Sequence, residues 1–345
     1  MKRMQYGPRV RKRNSLRPGI KHKLGVIDRG GIMFGLFKRR QKKQIRPTTL
    51  QDFIGQERAK LVLDVVMKGA KARRTNLEHV IIYGPPGLGK TTLANIIATE
   101  MKGKLYTSVG TSIRKSTDII DLFEDVLAGD IVFIDEIHRI PIKLEELLYT
   151  AMEDGYIDLG DERIYIPKFT LIGATTRLGN LSKPLRDRFG IQLRLEYYSQ
   201  EELVSIAYRT ANILNVAITN DGALTLASRS RGTPRILNNF IKRAVDMMYT
   251  TGKDTIDETV ALATLEMLEV DELGLDRMDR KILDVIINDY NCKPVGLNTL
   301  AVSVGECAKT IQEVYEPYLI ASKLIKPTSR GRIATQRAIN YMRRV

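Results

Sequence analysis

Short apolar runs, each long enough for one buried strand, recur through the first half of the chain. Three of them are Val80–Tyr83, Ile131–Ile134 and Phe169–Ala174, and Leu105–Val109 is a further candidate strand. Continuous apolar runs of this length are typical of strands that are covered on both faces, as in a parallel sheet. The pattern therefore predicts an α/β fold around a parallel sheet.

Helical spacing fills the intervals between these strands. We expect one helix to end near Lys71, one to run onward from Thr91, and one to span Asp118–Leu127 and stop at Gly129. The strand and helix patterns alternate, as they do in proteins with a parallel sheet.

The second half of the chain has a different pattern. Residues 199–270 are helical without a strong strand. Beyond Asp279 we predict a helix, a second helix over Leu297–Val304, a break at Gly305, a longer helix over Thr310–Leu324 and then a basic hairpin. Two helices broken at a glycine and followed by a basic hairpin indicate a winged helix.

The net charge of +15 belongs to the N-terminal end of the chain. Residues 1–45 hold 15 Lys and Arg and one acidic residue, Asp28, so the remaining 300 residues carry 40 basic and 39 acidic residues. Residues 1–44 cannot bury a core, and we expect a disordered extension suited to DNA or RNA phosphates. The alternatives are a solubilising extension, a translation start at Met33, and contact of residues 31–37 with an anionic membrane.

Bulk composition is that of a soluble globular protein, with 43% hydrophobic and 28% charged residues. No apolar run approaches the roughly 18–20 residues that span a bilayer, and no secretory signal is visible. The two cysteines, Cys292 and Cys307, lack metal-binding spacing. We therefore expect free thiols, a cytoplasmic location and no membrane partner.

The strongest chemical motif follows the strand Val80–Tyr83. Gly84 to Thr91 spell G-P-P-G-L-G-K-T, and a helix follows. Strand, G-x-x-x-x-G-K-T and helix are the pattern of a P-loop, whose backbone N–H groups cradle phosphates. Lys90 would supply charge to the terminal phosphates, and the Thr91 hydroxyl would bind Mg²⁺. A Gly-rich turn that binds nothing is disfavoured by the match at every motif position.

Two carboxylates follow the apolar run Ile131–Ile134, about 45 residues after the P-loop. Asp135 and Glu136 would lie at the carboxyl edge of the sheet, where ligands bind in open α/β folds. Asp135 would hold Mg²⁺ through water, and Glu136 would activate the attacking water. The alternative is a plain helix N-terminus with favourably placed acids.

Three further residues are candidates for the nucleotide site. Thr176 follows a buried strand and is placed to orient water, although ordinary turn chemistry is the alternative. Arg188 closes a short helix and would act as an arginine finger in a neighbouring subunit, or else form a solvated pair with a nearby aspartate. Arg235, beside Pro234 at a helix start, would point back toward the nucleotide.

Charges in the predicted winged helix favour the wing over the recognition helix as the DNA contact. The helix carries the carboxylates of Glu306, Glu313 and Glu316, which repel phosphates. The wing carries Lys326, Arg330 and Arg332. Contacts from these residues would be to phosphates and therefore insensitive to sequence.

Several motifs in order give the chain a resemblance to one family. They include Y-G-P-P-G-L-G-K-T-T-L-A, F-I-D-E-I-H-R, F-T-L-I-G-A-T-T-R, P-L-R-D-R-F-G, S-R-G-T-P-R-I and R-G-R-I-A-T. From Ile45 to the C-terminus the chain resembles the RuvB family of AAA+ motors, which migrate Holliday junctions. The resemblance implies a homo-hexameric ring around double-stranded DNA at four-way junctions, driven by ATP and Mg²⁺ and directed by RuvA. It also implies roles in DNA recombination and repair.

The resemblance also implies a domain division and a set of nucleotide-site residues. The domains are the extension (1–44), a large ATPase domain (45–198), a small helical lid (199–270) and a winged-helix head (271–345). The implied nucleotide-binding residues are Ile45, Arg46, Gly87, Leu88, Gly89, Lys90, Thr91, Thr92, Glu153, Asp154, Gly155, Tyr198 and Arg235. The implied catalytic residues are Asp135, Glu136, Thr176 and Arg188, with Thr91 and Asp135 at the metal, and Arg332 matches a DNA-contacting arginine of the wing.

Three departures from the family pattern leave alternatives open. The segment between Met152 and Phe169 is shorter than the family's hairpin on which RuvA docks, Pro327 replaces a wing arginine, and the basic extension has no counterpart. One alternative is a clamp-loader-like or mobile-element AAA+ ATPase that remodels a DNA-bound complex without RuvA-directed branch migration. Another is a DNA-binding scaffold that uses ATP structurally.

Overall fold

The computed structural model describes residues 45–159 and 162–344. The predictions for the basic extension, including its contact with nucleic acid or membrane and a start at Met33, lie outside these residues. Within the described residues, no helix is both long enough and apolar enough to cross a membrane.

A five-stranded parallel sheet forms the centre of the first part of the chain, as the apolar runs predict. The strands are β1 (Val80–Tyr83), β2 (Leu105–Val109), β3 (Ile131–Asp135), β4 (Tyr156–Asp158), β5 (Arg163–Tyr165), β6 (Thr170–Thr175) and β7 (Ile191–Arg194). The order in the sheet is β2-β3-β6-β1-β7, and β4 and β5 form a separate antiparallel hairpin. The carboxyl ends of β1, β3 and β6 are therefore neighbours, which is where the P-loop and the strand-end acids emerge.

Helices cover both faces of this sheet. They are α1 (Glu57–Arg73), α2 (Lys90–Met101), α3 (Ser116–Phe123), α4 (Ile142–Glu153) and α5 (Lys183–Asp187), with 3₁₀ turns at Ile137–Arg139 and Leu178–Asn180. Side chains of β1 alternate between two cores: Val80 and Ile82 face one, and Ile81 faces the other. All three are fully buried, and burial of such a side chain contributes about 1.5–3 kcal/mol.

The helix predicted over Asp118–Leu127 is shifted toward the N-terminus. The Asp118 carboxylate accepts the backbone N–H groups of Arg114 and Lys115 and lies in the first turn rather than at its start. At the other end, Asp130 accepts the N–H of Leu127, which lies beyond the end of α3. Side-chain acceptors at both ends of α3 therefore make this helix shorter than the apolar spacing predicts.

The lid consists of four helices and one two-residue strand pair. They are α6 (Gln200–Leu214), β8 (Ala217–Ile218), α7 (Asn220–Ser228), α8 (Pro234–Thr250), β9 (Thr255–Ile256) and α9 (Glu258–Met267). A capping box between Ser199 and Glu202 starts α6. Leu203 and Leu226 of the lid belong to the same core as Ile82, so the lid and one face of the sheet share a continuous core.

The head is a winged helix with its own core. Its elements are α10 (Arg277–Asp284), α11 (Leu297–Val304), α12 (Ala308–Thr310), α13 (Glu316–Ala321), β10 (Ile325–Thr328), β11 (Gly331–Ala334) and α14 (Gln336–Met342). The single helix predicted over Thr310–Leu324 is interrupted by a π-helical turn, Ile311–Tyr315. Pro317 follows this turn and lacks an N–H for the regular helical bond, which accounts for the interruption.

One buried ion pair fastens the head to the lid. Arg231, in the loop before α8, donates to the Asp279 carboxylate of α10 at 2.5 Å and to the carbonyl oxygen of Gly274 at 2.6 Å. Its guanidinium also lies 4.7 Å from the centre of the Tyr318 ring. Asp279 is fully buried, and burial raises its pKa to about 6 although Arg231 opposes this shift. The loop that opens α8 is thus tied to the head.

Candidate active site

A cleft of about 350 Å³ lies between the carboxyl edge of the sheet, residues 45–54 and the lid. Most of the residues that the sequence assigns to the nucleotide line it together. They are Ile45, Arg46, Gly87, Leu88, Gly89, Lys90, Thr91, Thr92, Asp135, Glu136, Thr176, Tyr198 and Arg235. These residues come from six separate stretches of sequence, and the sheet order and the lid bring them together.

The loop after β1 has a backbone that two glycines make possible. Gly87 has a φ of +81°, and a Cβ there would lie 2.7 Å from Cγ2 of Thr233 in the lid. Gly89 has a φ of +104°, and a Cβ there would press against the Phe53 ring at 3.0 Å. Glycine is therefore required at both positions for the left-handed backbone and for close packing of the lid and Phe53.

The Lys90 side chain lies inside this loop. Its ammonium donates to the carbonyl oxygens of Gly84 at 2.8 Å and Pro85 at 2.9 Å. Burial lowers the pKa of Lys90, while Asp135 and Glu136 oppose that shift. A cation at the start of α2, where the helix N-terminus presents backbone N–H groups, is the arrangement of an anion site.

The oxygens of Thr91 and Asp135 lie close enough together that they could hold a divalent cation. The Thr91 hydroxyl lies 3.5 Å from Oδ2 of Asp135, and Oδ1 of Asp135 accepts the backbone N–H of Glu136 at 2.9 Å. Mg²⁺ in phosphate-handling sites takes only one or two protein oxygens and completes its shell with phosphates and water. A hydroxyl beside a carboxylate next to the P-loop fits this requirement.

Glu136 has an unusual backbone conformation for a non-glycine residue. Its φ of +49° lies in the left-handed region, at the start of the 3₁₀ turn Ile137–Arg139. The carboxylate lies 3.8 Å from Nε of Arg139 and 3.4 Å from Nε2 of His138. Such strain persists where the surroundings hold it, and it occurs often at active sites.

Thr176 follows β6 and lines the cleft, while the preceding Thr175 points elsewhere. Thr175 is fully buried, and its hydroxyl lies 2.8 Å from Nδ1 of His138. The sequence pattern identified Thr176 but missed Thr175 and His138. The alternation of side chains along a strand is the signal that separates the two threonines.

Tyr198, which precedes the lid, and basic groups of the lid also line the cleft. The Tyr198 hydroxyl donates to the carbonyl oxygen of Leu88 at 3.2 Å, and burial raises the pKa of Tyr198. Arg235 of α8 lines the cleft beside two residues that the sequence prediction missed, Asn239 and Lys242. Their spacing of four and seven positions from Arg235 places all three on one face of α8, which is a signal that the sequence contains.

Arg188, Glu153, Asp154 and Gly155 do not line this cleft. Arg188 instead pairs with Glu153 at 2.5 Å and donates to the carbonyl oxygen of Pro184 at 2.9 Å. Its guanidinium lies 4.9 Å from the centre of the Tyr149 ring. The structure thus groups the predicted finger with the E-D-G segment, apart from the P-loop of the same chain.

The predicted wing residues have different surroundings. Lys326 and Arg330 are exposed on the hairpin formed by β10 and β11. Arg332 instead makes two hydrogen bonds to the Glu316 carboxylate, at 2.8 and 3.0 Å, and both side chains are largely buried. The geometry gives Arg332 a role within the head itself, and its contact with DNA stays a prediction.

Family models match the three parts of the chain. The Holliday junction DNA helicase RuvB P-loop domain matches residues 45–195. The RuvB AAA lid domain matches residues 198–271, and the RuvB C-terminal winged helix domain matches residues 272–343.

Individual relatives are similar over most of their length. The Holliday junction branch migration complex subunit RuvB of Latilactobacillus sakei is 48% identical over 302 residues, which are 85% of this chain and 90% of that protein. The subunit of the same name from Fusobacterium nucleatum is 46% identical over 312 residues, 88% of this chain and 94% of that protein. The solved structure of the Thermotoga maritima RuvB Holliday junction branch migration motor matches with a TM-score of 0.81 and 46% identity, over 87% of this chain and 98% of that one.

Proposed function

Because this chain belongs to the RuvB family of Holliday junction DNA helicases, we propose that it is an ATP-driven motor that moves the branch point of four-way DNA junctions. The observation that supports this function most directly is the complete set of P-loop, strand-end and lid residues around one cleft. A winged-helix head attached to the lid supplies the link from that cleft to DNA. The clamp-loader-like and scaffold alternatives have no comparable support.

The residues of the cleft divide the work of ATP hydrolysis. Lys90 and the N–H groups of its loop bind the phosphates, and Thr91 and Asp135 hold Mg²⁺. The chemistry supplied by Mg²⁺ at these oxygens is neutralisation of charge on the phosphates. Glu136 takes a proton from the attacking water as general base, and Thr176 orients that water.

A neighbouring subunit would complete each cleft. Arg188 and Glu153 lie together on a surface apart from the P-loop of their own chain. In a ring of six identical subunits, this surface would face the nucleotide of the next subunit, and Arg188 would stabilise the charge that develops on the transferred phosphoryl group. Glu153, Asp154 and Gly155 would then approach nucleotide from the neighbouring subunit rather than from within one chain.

DNA contact would come mainly from the exposed charges of the wing. Lys326 and Arg330 are available for phosphates, whereas the partner of Arg332 is Glu316. Contacts of this kind hold duplex DNA without reading its sequence.

A RuvA-like protein would dock on the hairpin of β4 and β5. Tyr165 of this hairpin is 78% exposed, and Leu159 beside it is also exposed. Large apolar side chains that protrude from a short hairpin are suited to a protein partner.

Hydrolysis assays test the proposed catalytic part directly. The chain should hydrolyse ATP faster in the presence of four-way junction DNA, and Glu136→Gln should keep ATP binding while lowering kcat about 10²–10⁴-fold. Hydrolysis by Glu136→Gln at the wild-type rate would remove Glu136 as the general base. Failure of both proteins to bind ATP would contradict the function as a whole.

A further inference from the structure

His138 lies between the proposed general base and the strand that carries Thr176. Its Nδ1 is 2.8 Å from the Thr175 hydroxyl, and its Nε2 is 3.4 Å from Oε2 of Glu136. The His138 side chain is only 6% exposed. One imidazole therefore connects the end of β6 to the carboxylate that follows β3.

The contacts of Thr175 leave its hydroxyl able to donate to His138. The backbone N–H of Arg177 donates to the Thr175 hydroxyl oxygen at 2.9 Å. The hydroxyl proton remains available, and Nδ1 of a neutral His138 can accept it. In that tautomer Nε2 carries the proton, and Nε2 lies 3.4 Å from Oε2 of Glu136.

The surroundings favour the neutral ring that this arrangement needs. Burial lowers the pKa of His138, and the charges of Arg139 and Arg177 act in the same direction. Glu136 and Glu313 oppose them. A neutral His138 has one donor and one acceptor, with the Thr175 hydroxyl 2.8 Å from Nδ1 and the Glu136 carboxylate 3.4 Å from Nε2.

Glu136 needs external support because its backbone is strained. A left-handed non-glycine residue keeps its conformation only where neighbouring contacts determine it. The carboxylate must also present an oxygen to water in a fixed direction to act as a base. His138 is a largely buried group whose Nε2 lies 3.4 Å from that carboxylate.

We propose that His138 is a positioning residue that orients Glu136 through Nε2 and links this orientation, through Thr175, to the strand end that carries Thr176. The proposal rests on the proposed role of Glu136 in activating water. It gives the motif F-I-D-E-I-H-R a function for its histidine. It also makes the proposed base responsive to movement of the strand end that carries Thr176.

Paired substitutions separate this role from simple core packing. His138→Phe preserves a ring and removes both ring nitrogens, whereas His138→Gln retains an amide donor. We expect His138→Phe to lower kcat about 10–100-fold, as for groups that orient a catalytic residue, with the Kd for a fluorescent ATP analogue changed less than about threefold. His138→Gln should recover a large part of kcat. Thr175→Val should resemble His138→Phe, and Thr175→Ser should rescue the rate.

Measurements that need no ATP hydrolysis distinguish a failure of this proposal from a failure of the proposed function. The ¹⁵N spectrum of the imidazoles in the nucleotide-free protein should show His138 protonated at Nε2, and Thr175→Val should perturb that signal. The chain has 3 histidines, so loss of one signal in His138→Gln assigns it. A proton on Nδ1 would overturn the proposal even if Glu136→Gln abolishes hydrolysis.

A double substitution tests whether His138 acts through Glu136. In the Glu136→Gln background, His138→Phe should lower kcat by less than twofold, because the base that it orients is already absent. An undiminished 10–100-fold effect in that background would overturn the proposal. So would wild-type kcat in folded His138→Phe, or an equal loss of kcat in the Phe and Gln variants.

Discussion

The Glu313 carboxylate, in the head, pairs with Arg177, the residue that follows Thr176 in the ATPase domain. The distance from Glu313 Oε1 to Arg177 Nη2 is 3.1 Å, and Oε2 lies 3.7 Å from Nη2 of Arg139. One carboxylate of the head therefore touches the segments that follow both β3 and β6. The sequence suggested only that Glu313 repels DNA phosphates, whereas the structure gives it partners within the chain.

Glu313→Gln should loosen the contact between the head and the ATPase domain without unfolding the protein. Both ion pairs are partly exposed, and such pairs contribute about 0–1 kcal/mol each. Fluorescence energy transfer between dyes on the two domains should show a longer or broader distance distribution in the variant. Wild-type protein in about 1 M salt should behave similarly because its pairs are screened. Asp289→Asn, in the same domain, is the control; no difference between the two variants would contradict the prediction.

Arg188→Ala should abolish ATP hydrolysis and leave ATP binding intact, because Arg188 lies outside the cleft of its own chain. Mixing makes the test specific. Arg188→Ala subunits should regain hydrolysis when mixed with Lys90→Ala subunits, since the latter supply a finger to an intact P-loop. Arg186→Ala, on the same helix, is the matched control. Absence of recovery in mixed rings, or loss of ATP binding by Arg188→Ala, would reject action in the neighbouring subunit.

The wing substitutions should separate DNA binding from stability. Lys326→Ala and Arg330→Ala should each weaken duplex binding for all sequences and reduce the slope of log affinity against log salt by about 1. Arg332→Ala should destabilise the head by about 3 kcal/mol, because it leaves the buried Glu316 carboxylate without its partner. Binding titrations at several salt concentrations and urea unfolding measure the two effects. Equal effects of all three substitutions on stability would contradict the distinction.

Asp279 predicts a specific pH dependence of stability. Burial raises its pKa in the folded protein to about 6, so the folded state binds more protons than the unfolded state between about pH 4 and 6. Stability from this residue is therefore present below about pH 4 and is lost as the pH rises through 6. The free energy of unfolding of wild type relative to Asp279→Asn should fall over this interval, as measured by urea unfolding. If the free energy of unfolding of wild type relative to Asp279→Asn instead rises with pH, Arg231 lowers the pKa of Asp279 and the prediction is wrong.

The sequence predicted the parts of the fold and site that depend on local pattern. The apolar runs located β1, β2, β3 and β6, and polar residues at the ends of these runs located Lys90, Asp135, Glu136 and Thr176. The strands could be located because buried parallel strands have short continuous signals, and the P-loop has one too. The four site residues line one cleft, and their roles stay predictions.

Contacts between distant segments could not be predicted in the same way. The pairs Glu313–Arg177, Arg231–Asp279 and Arg188–Glu153 join residues whose charges looked solvated or unrelated in the sequence. Each pair depends on how whole helices and strands pack. The spacing of residues along the chain does not encode the distance between the two charged groups. Thr175 was missed because two adjacent threonines look equivalent in the sequence until a strand directs their side chains to opposite sides. His138 was missed with it, because its contact is with the Thr175 hydroxyl.

Branch migration of a synthetic four-way junction tests the central claim most directly. A labelled junction with homologous arms would be incubated with the full chain, ATP and Mg²⁺, with and without a RuvA from the same organism. Glu136→Gln and an ATP analogue that resists hydrolysis serve as controls. We predict conversion of the junction to duplex products that requires ATP hydrolysis and fails with Glu136→Gln. ATP hydrolysis stimulated by the junction, without duplex products under either condition, would contradict the account.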